Sequence, residues 1–268
     1  MKPLISLSFD DGRIDNYTIV RPLLKRYNLP ATFNITTAFV NGEAEKGWLA
    51  PHAPMNAEQV RALFSEPLFE IAGHGYWHEN TQTDIVDGLD GLLRLLDAPM
   101  LTPSGNGFAS PGTGLTPEAW RAMQPALQQA HVRYARLSLC YRSHARLKTL
   151  ARKAARLLHL PRLYAYAYGD TLMGEPEGGI VRSVPVLSSI RVGELMALVR
   201  KAVREEKACV LMFHSIVPRE EMKDNWDYEL SQFEDFCRRL ADLQTQGLLR
   251  VATTMDVVNA LAQVKGER

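Results

Sequence analysis

The groups in this chain best suited to chemistry are two adjacent carboxylates and a pair of histidines, each placed just after an apolar run. The run Leu4-Ile5-Ser6-Leu7-Ser8-Phe9 ends abruptly in Asp10-Asp11-Gly12. Neighbouring buried carboxylates resist ionising together, and a bound cation removes that penalty. A turn at Gly12 leaves both side chains at the C-terminal end of the strand, which is where barrels of alternating strands and helices do their chemistry. Alone, the same stretch also reads as a strand with an ordinary solvated Asp-Gly turn. The second group is His74-Gly75-Tyr76-Trp77-His78, following the short apolar strand Phe69-Glu70-Ile71-Ala72-Gly73. On one helical turn this spacing places both rings on one face. Two histidines and one carboxylate make a three-ligand metal site with open positions, suited to zinc or to iron, cobalt or nickel.

In order along the chain, Ser8-Phe9-Asp10-Asp11-Gly12, His74-x-x-x-His78 and Phe213-His214 resemble the first, second and last motifs of the polysaccharide deacetylases, the NodB-type domains of carbohydrate esterase family 4. The resemblance runs from about Leu4 to the strand near residues 248–254. It implies that Asp11, His74 and His78 bind a divalent metal, most simply zinc, that Asp10 is the general base, and that His214 is the acid protonating a departing amine. A metal there would polarise an acyl carbonyl and acidify water, while Asp10 accepts the water's proton.

The sequence also departs from that family. Its usual Arg-x-Pro-Tyr stands here as Ala109-Ser110-Pro111-Gly112, without the guanidinium that orients the catalytic carboxylate and without the aromatic wall. The Gly112 N–H could still serve an oxyanion, because that role needs no side chain. Arg136 is a candidate for the missing guanidinium, with Arg182 behind it and plain membership of a basic stretch as the alternative. No family-type Asp partner for His214 is recognisable, and Asp170 and Asp256 both qualify. Gly75 replaces the usual Ser or Thr. Trp48 and Trp77 are candidates to line a sugar site, or simply packed aromatics.

The elements needed to hold these groups alternate between strand and helix. Strands are expected at residues 4–9, 31–35, 69–72, 107–110, 132–137, 164–168, 180–186, 208–214 and 248–253. Helices are expected at 16–27, 56–64 (Asn56 as N-cap), 84–96, from Thr116-Pro117 onward, at 143–158, 191–204, 229–246 and 255–264. Residues 37–55 and 173–179 read as loops. Such alternation argues for parallel strands with helical crossovers, and the resemblance sharpens this to an α/β, distorted (β/α) barrel of about seven strands, one catalytic domain over residues 1–268.

Composition is that of an ordinary soluble globular chain, with 46% hydrophobic and 23% charged residues and a net charge of +1. The first strand begins almost at once, with no room for a signal peptide. No apolar run reaches transmembrane length, and Cys140, Cys209 and Cys237 are few and widely spaced, so the cytoplasm is the expected compartment. Charge is unevenly placed. Residues 119–169 hold ten Lys or Arg and no Asp or Glu, leaving the rest of the chain at −9. Within that span Arg142, Arg146, Lys148, Arg152, Lys153 and Arg156 share a helix with Leu147, Leu150, Leu157 and Leu158. The simplest expectation is a solvated helix whose leucines face the barrel. Its alternatives are peripheral contact with an anionic membrane face, attraction of a phosphorylated or nucleotide-linked substrate, or nucleic-acid contact without function.

The function that follows is a metal-dependent N-deacetylase acting on an N-acetylated sugar or glycoconjugate. A deformylase or amidase using the same mechanism on another C–N bond is the second reading, and a silent carbohydrate-binding protein the third. Oligomeric state is not legible.

Overall fold

The computed structural model describes residues 2–43, 52–138 and 146–266. Trp48, Cys140 and Arg142 lie outside the described residues. Seven strands are formed where the sequence is most apolar: β1 (Leu4–Phe9), β2 (Ala31–Ile35), β3 (Phe69–Gly73), β4 (Asn106–Ala109), β5 (Val132–Leu137), β6 (Ile180–Pro185) and β7 (Ala208–Phe213). Each pairs in parallel with the next, and β7 pairs with β1 along its whole length, from Leu4↔Ala208 to Phe9↔Phe213. The sheet therefore closes into a (β/α) barrel. Closure removes both edges and makes every strand two-sided, which is why β1, β2, β3 and β7 are buried along their entire length.

The distortion sits between β1 and β2, which pair only at Ser8↔Thr32 and Phe9↔Phe33. The start of β1 pairs instead with β10 (Arg250–Val251), which wedges in at Leu4 and Ile5. The strand expected over residues 248–253 is thus two residues long. Helices α1 (Arg21–Tyr27), α2 (Thr37–Val40), α3 (Ala57–Phe64), α4 (Gln82–Leu96), α5 (Pro117–Leu127), α6 (Arg146–Leu157), α7 (Pro161–Ala167), α8 (Val192–Glu205), α9 (Leu230–Thr245) and α10 (Thr254–Gly266) surround the strands. Asn56 caps α3 in a reciprocal box with Gln59, and Thr116 caps α5 with Pro117 behind it. Phe33, Phe9 and Phe213 stack at centroid distances of 5.3 and 5.4 Å, and Phe233 meets Phe9 and Phe213 edge-on at 5.8 and 5.5 Å, sealing β1, β2 and β7 against α9. Among the described residues no helix is long and apolar enough to cross a membrane.

Several expectations are corrected. Residues 164–168 form no strand. The alternation Tyr-Ala-Tyr-Ala-Tyr imitates a period of two, yet Pro161 opens α7 and Tyr164 packs on Tyr168 one turn later, with ring centroids 4.5 Å apart. The loop expected over residues 37–55 begins with α2. A small parallel pair, β8 (Ser215–Val217) with β9 (Asp227–Glu229), is added beyond His214. Three-residue strands carry too little periodicity to be read. Finally, Leu150, Leu157 and Leu158 of the basic helix and its end do not face the barrel but stand exposed. Ala155 and the stem of Arg152 fill the inward positions instead.

Candidate active site

The described residues converge at the C-terminal end of the barrel. β1 ends at Phe9, and the Asp10 N–H continues its ladder by donating to Phe213 O at 3.0 Å. Asp11 and Gly12 then both take left-handed backbone, with φ of 74° and 79°. Glycine accepts that conformation freely, and a short polar residue such as Asp tolerates it. The turn splits the two carboxylates. Asp10 points toward β5 and Asp11 toward the loop after β3.

Asp10 is buried and fully engaged. Arg136 Nη2 lies 2.6 Å from both of its oxygens, and Asn34 Nδ2 donates to Oδ1 at 2.7 Å. Arg136 is itself 1% exposed and also donates to Ser183 Oγ at 3.0 Å. Burial pushes the Asp10 carboxyl up, but Arg136, with His74 and His214 beside it, outweighs burial and holds it below the ordinary carboxylate value. The alternative of Arg136 as one more surface charge is thereby excluded. Arg182 turns away to Glu177 and to Asp170 O.

Asp11 Oδ1 lies 3.4 Å from His74 Nε2 and 3.4 Å from His78 Nε2. One ligand atom from each residue falls within 4.8 Å of the others. Burial raises the Asp11 carboxyl, and hydrogen bonds to the two imidazoles more than reverse this, leaving it well below its usual value. His74 Nδ1 sits 2.9 Å from Ala109 O. A carbonyl only accepts, so Nδ1 carries a proton and Nε2 is left as the atom that would bind a cation held with Asp11. Arg13 reaches Asp11 Oδ2 through Nε and Nη2, both at 2.9 Å, and leaves Oδ1 facing the histidines. The donor set fits a divalent cation of the zinc, iron, cobalt or nickel type.

His78 reaches this point by a route other than the expected helical turn. Residues 74–80 form a loop with positive φ at Gly75 (79°) and His78 (66°). Asp84, in the first turn of α4, holds the loop by accepting from Trp77 N at 2.6 Å and Glu79 N at 2.9 Å. The ring centroids of His74 and His78 end 4.9 Å apart. Trp77 is half exposed beside His78 rather than packed in a core.

His214 follows β7. Its Nε2 lies 4.0 Å from Asp10 Oδ2, and its ring rests on Trp226 with centroids 4.4 Å apart. Burial lowers its basicity, with Asp11 and Asp10 opposing this only in part. Neither candidate partner reaches it. Asp170 is taken by Arg152 and Lys148 and Asp256 lies in the first turn of α10, while the buried His214 Nδ1 has no hydrogen-bond partner among the described residues.

Residues 1–91 match the family model described as polysaccharide deacetylase. Over these residues the chain is similar to that family. No curated protein matches its sequence. Among solved structures, the Bc1960 peptidoglycan N-acetylglucosamine deacetylase is similar at 15% identity and a TM-score of 0.52, covering 96% of this chain and 89% of that one. At that identity the likeness speaks for the fold. A de-N-acetylase from Aggregatibacter actinomycetemcomitans aligns at 18% identity and TM-score 0.39 over 49% of this chain and 62% of that chain, so less than two thirds of that relative's length is covered. A family 4 acetyl xylan esterase from Clostridium thermocellum aligns at 14% and 0.47, covering 96% and 91%.

Where the chain departs from this family's pattern, the structure shows what the replacing residues do. Ser110 Oγ donates to Asn80 Oδ1 at 2.8 Å and accepts from Leu115 N at 3.1 Å. Gly112 has a φ of 53° and open space where a side chain would stand. Gly75 is required by its surroundings, because a Cβ there would meet Asp84 Oδ2 at 2.2 Å and Glu79 O at 3.0 Å. Gly75→Ala is therefore expected to displace His78 and weaken divalent-metal binding by about tenfold or more, the equivalent of 1–3 kcal/mol of backbone strain. Titration of metal into both proteins checks this, and equal affinity would show that Asp84 does not fix the loop.

The sequence left Asn34, Arg13, Ser183 and Trp226 unmentioned. Asn34 had a signal, since Thr32 and Asn34 alternate with apolar residues in β2 and so share one face with a polar purpose. Trp226 had none, because its position depends on the β8–β9 pair.

Proposed function

We propose that this chain is a metal-dependent hydrolase that removes the N-acetyl group from an N-acetylated sugar or glycoconjugate, with residues 1–268 as one catalytic domain. The family as a whole supports deacetylation of N-acetylated sugar polymers. The observation that carries the finer reading is the placement of a buried, guanidinium-paired carboxylate between a three-ligand set and an imidazole at one barrel mouth.

Asp11, His74 and His78 would hold a divalent cation, zinc by preference, which when bound polarises the acyl carbonyl and acidifies water. Asp10 is the base. Arg136 and Asn34 keep it ionised and aimed, so that it accepts the proton of the attacking water. His214 gives a proton to the departing nitrogen, which leaves poorly as an anion. Its lowered basicity makes that proton easier to release, and Trp226 fixes the plane of the ring. The Gly112 N–H serves the developing oxyanion.

Incubation of the metal-loaded protein with N-acetylated amino-sugar oligomers should release acetate and free amine in equal amounts, with release absent in Asp10→Asn. Release of formate, but no acetate, from N-formylated sugars would move the assignment to the deformylase reading. Binding of these sugars with no acyl release under any metal would leave the silent binder.

A further inference from the structure

Helices α6 and α7 and the turn between them carry a surface that the proposed chemistry does not use. Leu157 is 80% exposed, Leu158 60%, Leu150 67% and Tyr166 69%. Leaving four such side chains in water across one helical hairpin forgoes burial that a core helix would take. Charge surrounds them on two sides. A groove between α7 and α8 runs beneath Leu160 and Tyr166 and is edged by Arg162, Arg200 and Arg204. A second groove passes Leu157 and is edged by Lys153 and Arg156. Among the described residues none of these five cations has a carboxylate within ion-pair distance, unlike Lys148 and Arg152, which are held by Asp170.

The second groove also gives the surface its orientation. Its far wall is Ser188 and Ser189, just beyond the end of β6, with Met222 from the segment beyond β7. These loops leave the same C-terminal end of the barrel as Asp10 and His214.

We infer that the α6–α7 hairpin docks this protein on an anionic phospholipid bilayer, on the side of the barrel that carries the candidate active site. A lipid surface matches both halves of the patch at once, since acyl boundary accepts the leucines while phosphates meet unpaired Lys and Arg. A soluble anion would call on the cations and leave the leucines without purpose. Arg152 takes no part, being buried against α7.

Co-sedimentation of the full-length protein with phosphatidylglycerol–phosphatidylcholine vesicles, against phosphatidylcholine alone, tests this without any need for turnover, so its failure leaves the hydrolase reading intact. Binding is expected only to the anionic vesicles, and to disappear at high salt. L157Q/L158Q should weaken it about tenfold or more, and K153Q/R156Q/R162Q by about fivefold per charge removed. All five side chains lie at the surface, and unchanged thermal melts of both variants would confirm that they fold. No binding at low salt, equal binding to neutral vesicles, or full binding by L157Q/L158Q would each overturn the proposal. So would a native dimer that L157Q/L158Q dissociates while vesicle binding is absent, because the patch would then serve a second copy of the chain.

Discussion

Asp10→Asn is expected to hold a divalent cation as the native chain does and to lose turnover by about 10²–10⁴-fold, the usual contribution of a positioned base. Asp11→Ala is expected to lose the cation itself. The two residues are neighbours in sequence, yet their partners divide cleanly. Asp10 is bound by Arg136 and Asn34, while Asp11 faces His74 and His78 through one oxygen and Arg13 through the other. A ligand and a base fail differently, because only the ligand enters the binding equilibrium of the metal. Metal analysis of both purified variants, beside turnover, decides the matter. Equal metal loss in the two would end this division of roles.

Arg136→Met is expected to cost both activity and stability. From sequence alone, removing this guanidinium could have been thought harmless to the fold. Its burial against Asp10 changes that, since truncating one member of a buried ion pair leaves the other without compensation, at about 3–5 kcal/mol. The pH dependence should move as well. Arg136 outweighs burial to hold the Asp10 carboxyl down. Without it burial acts unopposed by its strongest counterweight, so the carboxyl rises and the acid limb of turnover shifts to higher pH. The sign for stability agrees. A depressed native pKa contributes stability above the unfolded value near 4 and loses it as pH falls through the native one, and the variant should lack this acid-side loss. Thermal melts and pH–rate profiles of Arg136→Met and Arg136→Lys check both effects, with the lysine expected to recover part of each by restoring a charge without the planar fork. A melt and an acid limb identical to the native ones would refute the pairing.

The barrel was legible because its strands are buried on both faces and so spell predominantly apolar runs, unbroken in β7 and interrupted only by Ser6 and Ser8 in β1. The cluster of Asp11, His74 and His78 was legible because these residues stand just beyond the ends of two such runs. Arg136 could be nominated because it ends a third. What escaped reading depended on tertiary context. The Tyr-Ala alternation of α7 has the period of a strand and the packing of a helix. The route of His78 depends on Asp84 and on two left-handed residues, neither of which a four-residue spacing reveals. The exposed leucines of α6 carry a helical period that fits a core as well as a surface, and only the position of the neighbouring helices tells which.

The contact between Asp10 and Arg136 joins groups 126 residues apart, across strands that are not neighbours in the ring. The three groups proposed to hold a cation, by contrast, all come from the turns and loop that follow β1 and β3. Assembly of the two halves therefore need not be simultaneous. A chain whose later strands have not yet closed onto β1 would present ligands for a metal while its carboxylate still lacked the charge that holds it ionised. Under the proposed roles, competence to react is a consequence of closing the ring, and a nascent or partly unravelled molecule would carry metal without hydrolysing what it meets.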